Sequence, residues 1–470
     1  MKVSTLKTLF CMAAGICTFG MAMASDSTTV KKAKQPNVVI IMADDLDSRQ
    51  LSCYGGKNLR TPHIDALADQ GMMFNQMITS EAICVPTRAS LFTGFYPVRH
   101  GSFQNHKPVN EGLKSVCHYL GDLGYTVALT GKDHSTKPVS IFPFKIIKGF
   151  EPNCVSRTDD YELNDIRSFI TGNGDKPFCL FIMSINPHAP WTNGDPSEFN
   201  ADKLILPPHW VDTKEVRVEF TKYLAEVRRL DNQVGEVAAL LKETGQEQNT
   251  IFIFLGEQGP QFPGGKWTLW DNGQKSSMIV RWPGTVKPGT VTDAIAQYED
   301  VTPTLIDIAG GKPLTNLDGK SFLPVLLGKK TTARDYAFGI HNNIPEGPAY
   351  PSRAIRDTRY KLIMNLTPDQ NYHIKFMMNP AKKDSYWNGW MAKAENSPSD
   401  KKLVDRIVHR PAIEFYDLQK DPYELNNLAG DAAYSKLIKS YSATLIQWMK
   451  QQGDKGAAMD IKYQKEKTEE

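Results

Sequence analysis

The chain has 470 residues, 41% hydrophobic and 23% charged. That composition excludes a disordered chain and leaves room for two or three domains, or one large domain with an appendage. Lys and Arg total 55 against 52 Asp and Glu, a net charge of +3 that falls to +1 without residues 1–24, which hold Lys2, Lys7 and no acid; so small a charge makes no case for nucleic acid or a membrane surface as partner.

Residues 1–24 read as a signal peptide. Lys2 and Lys7 are its basic start, Leu9 to Met21 its apolar run, and Ala22-Met23-Ala24 its small-x-small cleavage site. The run is too short and interrupted to span a bilayer, and no later segment is long enough. The expectation is an exported protein, periplasmic or secreted, with no membrane span. Residues 25–35 form a polar lead-in. "NVVIIMADD" then predicts a strand at Val38 to Ile41, buried on both faces and followed by Asp44 and Asp45. Ile64 to Gly71 has helical spacing and a glycine stop.

The stretch "AICVPTRASLFTG", Ala82 to Gly94, predicts a helix that starts near Cys84 and ends at Gly94, with Pro86 in its first turn. Cys84 then sits where backbone N–H groups and the helix dipole favour negative charge. Two readings stay open here: a capped helix with a buried thiol, or a nucleophile beside an anion site. Five cysteines remain after residue 24, namely Cys53, Cys84, Cys117, Cys154 and Cys179. In an oxidising compartment the odd count leaves one unpaired, and Cys84 is the natural candidate.

Further along, Leu113 to Gly124 predicts a helix, and a short strand at Thr126 to Leu129 leads to Lys132 and His134. A strand at Phe178 to Ile185 leads to His188. Residues 217–243 form a long amphipathic helix, and a strand at Ile251 to Leu255 leads to Glu257 and Gln258. Strands alternating with helices predict an α/β fold with a largely parallel sheet. After the helix at Thr302 to Ala309 the pattern changes. Residues 336–455 predict a smaller subdomain, with strands such as "YKLIMNL" and "EFYDL" between loops rich in Asn, Pro and Trp, closed by a helix near Tyr434 to Met449. Residues 456–470 read as a charged, frayed tail.

Singly, these polar residues have ordinary explanations: two acids after a strand cap a helix, and a lone histidine or lysine decorates a loop. Together they have another. Ligands of open α/β sheets bind beyond the carboxyl ends of the strands. If the four strands share one sheet, Asp44, Asp45, Lys132, His134, His188, Glu257 and Gln258 converge on one edge. Carboxylate and amide oxygens suit a hard cation such as Ca²⁺.

These residues resemble the formylglycine-dependent sulfatases of the alkaline-phosphatase-like superfamily. "CVPTRASLFTG" matches their modification signature, and "PNVVIIMADDL" their first metal-binding strand. "GKDH", "NPHAPW", "KWTLWDNG" with "MIVRWPG", and "FYDLQKDPYELNNLA" match further motifs in order along nearly the whole chain. "EQGPQFPGGKW" is closest to the heparan N-sulfatase branch. The family departures are Glu257 and Gln258, where Asp followed by Asn or His is usual, Thr87 where Ser is commoner, and Asp133 where Trp is frequent.

The resemblance implies a large mixed, mostly parallel sheet sandwiched by helices in a catalytic domain over residues 25–335, with a smaller α+β subdomain after it. It implies that a formylglycine-generating enzyme oxidises Cys84, and that the hydrated aldehyde attacks sulfur. One Ca²⁺ is held by Asp44, Asp45, Glu257 and Gln258 together with the group made from Cys84. Arg88 holds the hydrate, Lys132 and Lys266 neutralise the sulfuryl oxygens, His134 accepts a proton, and His188 protonates the leaving group. The implied substrate is a sulfated carbohydrate, with glycosaminoglycan-derived sugars foremost and N-sulfated glucosamine favoured among them. Asn105, His106, His341 and Asn342 are candidates for sugar contacts. Two rivals stand beside this reading: a phosphatase or phosphodiesterase of the same superfamily, and an inactive relative that binds sulfated glycans.

Overall fold

A computed structural model describes residues 35–153, 161–382 and 385–468. The expected signal peptide and Cys154 lie outside the described residues. Eight strands form the main sheet: β1 (Asn37–Met42), β2 (Met72–Ile78), β3 (Thr126–Gly131), β4 (Lys145–Ile146), β5 (Phe178–Met183), β6 (Thr250–Leu255), β7 (Lys275–Arg281) and β8 (Thr290–Gln297). Their order is β4-β3-β5-β1-β6-β7-β2-β8. Of the seven pairings, only those of β7 with β6 and with β2 are antiparallel.

The run in β1 shows why this sheet is buried on both faces. Successive side chains of a strand point to opposite sides. Val39 and Ile41 enter one apolar cluster, together with Phe220, Leu224, Val227 and Val234 of the helix Lys214–Glu243. Val38, Ile40 and Met42 enter another, with Ala89, Leu91 and Phe92 of the helix Cys84–Thr93 and with Val301 and Leu305 of the helix Val301–Ile308. Helices therefore cover both faces. Each of these fully buried aliphatic side chains contributes about 1.5–3 kcal/mol relative to exposure.

Strands β9 (Ala337–His341), β10 (Ser352–Arg356), β11 (Tyr360–Asn365) and β12 (Ile413–Asp417) form a separate antiparallel sheet, ordered β12-β11-β10-β9. The helix Ser435–Gln452 lies on it: Tyr441, Leu445 and Trp448 share a cluster with Ile355, Leu362 and Phe415. Both sheets belong to one unit from Pro36 onward.

Two expectations are corrected. The Asn-, Pro- and Trp-rich stretch holds two helices, Tyr386–Ala394 and Pro398–Val408, capped by the side chains of Ser385 and Ser397. Trp390, fully buried, anchors the first of them. The tail is not frayed at its start: a helix runs from Ala457 to Thr468, and its Asp460 is buried against Arg353 at 3.0 Å.

Candidate active site

Four neighbouring parallel strands, β3-β5-β1-β6, deliver their following residues to one edge. Lys132 and His134 follow β3, His188 follows β5, Asp44 and Asp45 follow β1, and Glu257 and Gln258 follow β6. Strand β2 runs the same way, because two antiparallel steps separate it from β6. Its exit brings the helix Cys84–Thr93 to the same edge. Cys84 is the first helical residue and Gly94 closes the helix in the left-handed region at φ 74°.

The groups touch. The Cys84 thiol donates to Asp44 Oδ1 at 3.4 Å. The Gln258 amide nitrogen lies 2.6 Å from Asp45 Oδ1, 2.9 Å from Glu257 Oε2 and 3.4 Å from Cys84 Sγ. Lys132 Nζ pairs with Asp44 Oδ2, and Lys266 Nζ with Asp45 Oδ2 at 2.8 Å. Arg88 Nε donates to Glu257 Oε1 at 2.6 Å, and its Nη2 lies 3.8 Å from Asp44. His188 Nε2 is 3.6 Å from Asp45 Oδ2. Only His188 and His134 of the expected set are partly exposed; the others are buried. His134 stands at the flank, its ring edge-on to His106 with centroids 5.6 Å apart.

Burial dominates the electrostatics. It opposes ionisation of Asp44, but Lys132 and His188 more than offset it and hold that carboxyl well below its usual range. Burial lifts Glu257 to about 8 despite Arg88. Burial, then Asp44 and Glu257, push the Cys84 thiol far up, so it is protonated and a poor nucleophile as a thiol. Burial and Lys266 bring His188 down to about 4; burial, Lys132 and Arg88 depress His134 further.

The donor set fits a hard cation. Ligand atoms of Asp44, Asp45, Cys84 and His188 all lie within 4.8 Å of one another, and the Gln258 carboxamide sits against two of these residues. The two carboxylates supply the oxygen donors that a hard cation prefers, beside one sulfur and one imidazole nitrogen.

Several residues that shape the site were not anticipated. Asp45 is in the left-handed region at φ 58°. The Tyr223 hydroxyl pins that turn, donating to Asp45 O at 3.2 Å and accepting from Asp47 N at 2.8 Å. Glu226 fixes the loop that carries His188: it accepts from Asn186 Nδ2 (3.1 Å), Thr192 N (2.8 Å) and Asn193 N (3.1 Å). Gln233 donates to Asn186 Oδ1 at 3.0 Å. Tyr223, Glu226 and Gln233 share one face of the long helix, and polar residues at that spacing on an apolar face were the available signal. His341 and Asn342 are fully buried rather than open to a sugar. His341 Nδ1 pairs with Glu81 Oε1 at 2.6 Å, and Asn342 donates to Phe103 O at 2.7 Å.

A buried cysteine, acids and lysines thus meet at the carboxyl edge of a mixed sheet. The sulfatase family profile matches residues 36–311, and a profile for the C-terminal part of N-sulphoglucosamine sulphohydrolase matches residues 264–388. The chain belongs to the sulfatase family. It is 35% identical over 446 residues to an ulvan-active sulfatase of Formosa agariphila, covering 92% of this chain and 84% of that one. It is 25% identical to human N-sulphoglucosamine sulphohydrolase, covering 89% and 90%. A solved structure in complex with its substrate D-glucosamine-2-N,6-O-disulfate superimposes with a TM-score of 0.68 at 21% identity, over 90% of this chain and 99% of that one. Among the described residues, no helix is long and apolar enough to cross a membrane.

Proposed function

We propose that this protein releases sulfate from sulfated carbohydrates through a formylglycine made from Cys84 by a formylglycine-generating enzyme. The observation that carries the reading is the position of Cys84: first residue of a helix, within contact of Asp44 and Gln258 and flanked by the ion pairs of Lys132 and Lys266.

Asp44, Asp45, Glu257 and Gln258 would hold one Ca²⁺, and this ion with the aldehyde hydrate would supply a more reactive oxygen than the thiol. Arg88 orients that hydrate from the second turn of the helix. Lys132 and Lys266 reach the sulfuryl oxygens and stabilise the charge that develops there. His134, on the flank of the cluster, takes a proton. His188, whose Nε2 faces the acidic turn, gives one to the departing oxygen or nitrogen. An anionic ester beside His188 favours the imidazolium this needs.

The substrate class follows the relatives. N-sulfated glucosamine is the first choice, supported by the match to the N-sulphoglucosamine sulphohydrolase profile. O-sulfated polysaccharide fragments are the second, supported by the ulvan-active relative. Export to the periplasm or medium remains part of the proposal and rests on residues 1–24.

The test is a panel on protein co-produced with the modifying enzyme: N-sulfated glucosamine, its 6-O-sulfated N-acetylated counterpart, ulvan fragments and a phosphate monoester. Sulfate release with an aldehyde mass at the Cys84 peptide is expected, and Cys84→Ala abolishes release while keeping the fold. Phosphate release alone, or full activity with an unmodified thiol, would refute the reading.

A further inference from the structure

A cleft of about 350 Å³ opens beside the catalytic cluster. That is within the size range of small-ligand sites. Val85, next to Cys84, forms part of its wall, and so does His134. His106, Lys107, Ser135 and Lys137 also line it.

The walls are built rather than loose. His106 and Ser135 are both held in the left-handed region, at φ 62° and 65°. For residues other than glycine this costs about 1–3 kcal/mol each and clusters at ligand sites. Ser135 Oγ donates to Val85 O at 2.7 Å, which ties one wall to the Cys84 helix. The facing wall is tied down by Asn105, which donates to Glu346 Oε1 at 2.6 Å, and by Ser102 Oγ, which donates to Lys107 O at 2.5 Å. His134 contributes a buried ring nitrogen, Nδ1, with no protein partner.

Its charge is directional. Lys107 and Lys137 lie on the lining, and Asp133 is the one acid among the described lining residues. Lys107 is half-buried, with its ammonium 4.1 Å from the centre of the Phe103 ring. Val85 of this lining adjoins Cys84, so the cleft that carries both cations borders the place a scissile sulfate would take.

We infer that this cleft is a subsite for an acidic sugar: Lys107 and Lys137 recognise a second anionic group, carboxylate or sulfate, on the sugar that carries the scissile sulfate or on its neighbour. The inference rests on the sulfatase reading above and deepens it.

The experiment compares two matched substrate pairs on the modified enzyme and on the K107A/K137A variant. One pair is a sulfated disaccharide with its uronic carboxylate free or methyl-esterified. The other differs by one non-scissile sulfate. Native enzyme is expected to prefer the anionic member of at least one pair, and that pair identifies the anion. The variant loses the preference by roughly tenfold, mainly in KM, for two partly solvated ion pairs. Rising ionic strength erodes the preference in the native enzyme. An unchanged preference in the variant, or none in the native enzyme while sulfate is released, overturns the inference. If nothing releases sulfate, the sulfatase reading itself fails. The cleft is then judged by calorimetric titration of the desulfated acidic disaccharide: weaker binding to the variant supports the subsite, and equal binding overturns it.

Discussion

Ending the chain at Gly453 should destabilise the whole unit, although the deleted residues look like a charged tail. Arg353 has no exposed side-chain surface. Its Nε pairs with Asp454, its Nη2 lies 2.9 Å from Asp454 Oδ1 and 3.0 Å from Asp460 Oδ2, and the remaining acceptors are the carbonyls of Ser352 and His341. The deletion removes both carboxylates and leaves the cation without its charge partners. Breaking a buried pair from one side costs about 3–5 kcal/mol. For a unit this large, that lowers the thermal midpoint by roughly 3–6 °C. Scanning calorimetry of the full chain, the shortened chain and D454N/D460N measures it. The double variant should lose most of what the deletion loses. Arg353→Met in the shortened chain should recover part of it, because an apolar side chain leaves no charge unpaired. A shortened chain that melts with the full one, or an R353M variant that recovers nothing, would show that the tail pairs are dispensable.

Two further outcomes follow. Dialysis against a chelator should remove one Ca²⁺ per chain, seen by elemental analysis, and sulfate release with it; zinc as the required metal would contradict the proposed oxygen ligands of Asp44, Asp45, Glu257 and Gln258. Burial lifts the Glu226 and Glu299 carboxyls from 4.5 to about 7. The folded chain then binds more protons than the unfolded one between those values, so their contribution falls as pH rises from about 4.5 to 7. E226Q/E299Q should flatten that part of the midpoint–pH curve, and an unaltered slope would count against it.

The convergence of polar residues on one sheet edge could be read from sequence because its strands are continuous apolar runs ending in polar residues, and burial on both faces demands such runs. Cys84 could be read because Pro86 and Gly94 bracket a helix of one length. Strand β2 could not: "MMFNQMI" mixes methionines with Asn75 and Gln76, and only its pairing with β7 and β8 makes it a strand. The helix Tyr386–Ala394 was hidden by Tyr, Trp, Asn and Gly, residues of poor helix propensity, and burial of Trp390 overrode it. His341 and Asn342 misled for a related reason. Polar residues in a loop-like stretch suggest a surface, but their partners Glu81 and Phe103 lie more than 200 residues away.

Of the three departures, Glu257 and Gln258 are the pair that lies among the expected metal ligands, and the geometry bears on it. A longer side chain could carry its polar end away from the cluster. Here the backbone is held close on both sides of the pair. A Cβ on Gly256 would meet Ser276 Oγ at 2.4 Å, and one on Gly259 would meet Asn272 O at 1.6 Å. The added reach is therefore taken up inside the site: Glu257 extends to Arg88, and Gln258 reaches Asp45 and Cys84. Gln258 stays at the centre of the donor set, whereas Glu257 leans towards Arg88 of the Cys84 helix. The substitution thus couples β6 directly to that helix. A cation bound by Glu257 would have to share that carboxylate with Arg88 of the Cys84 helix.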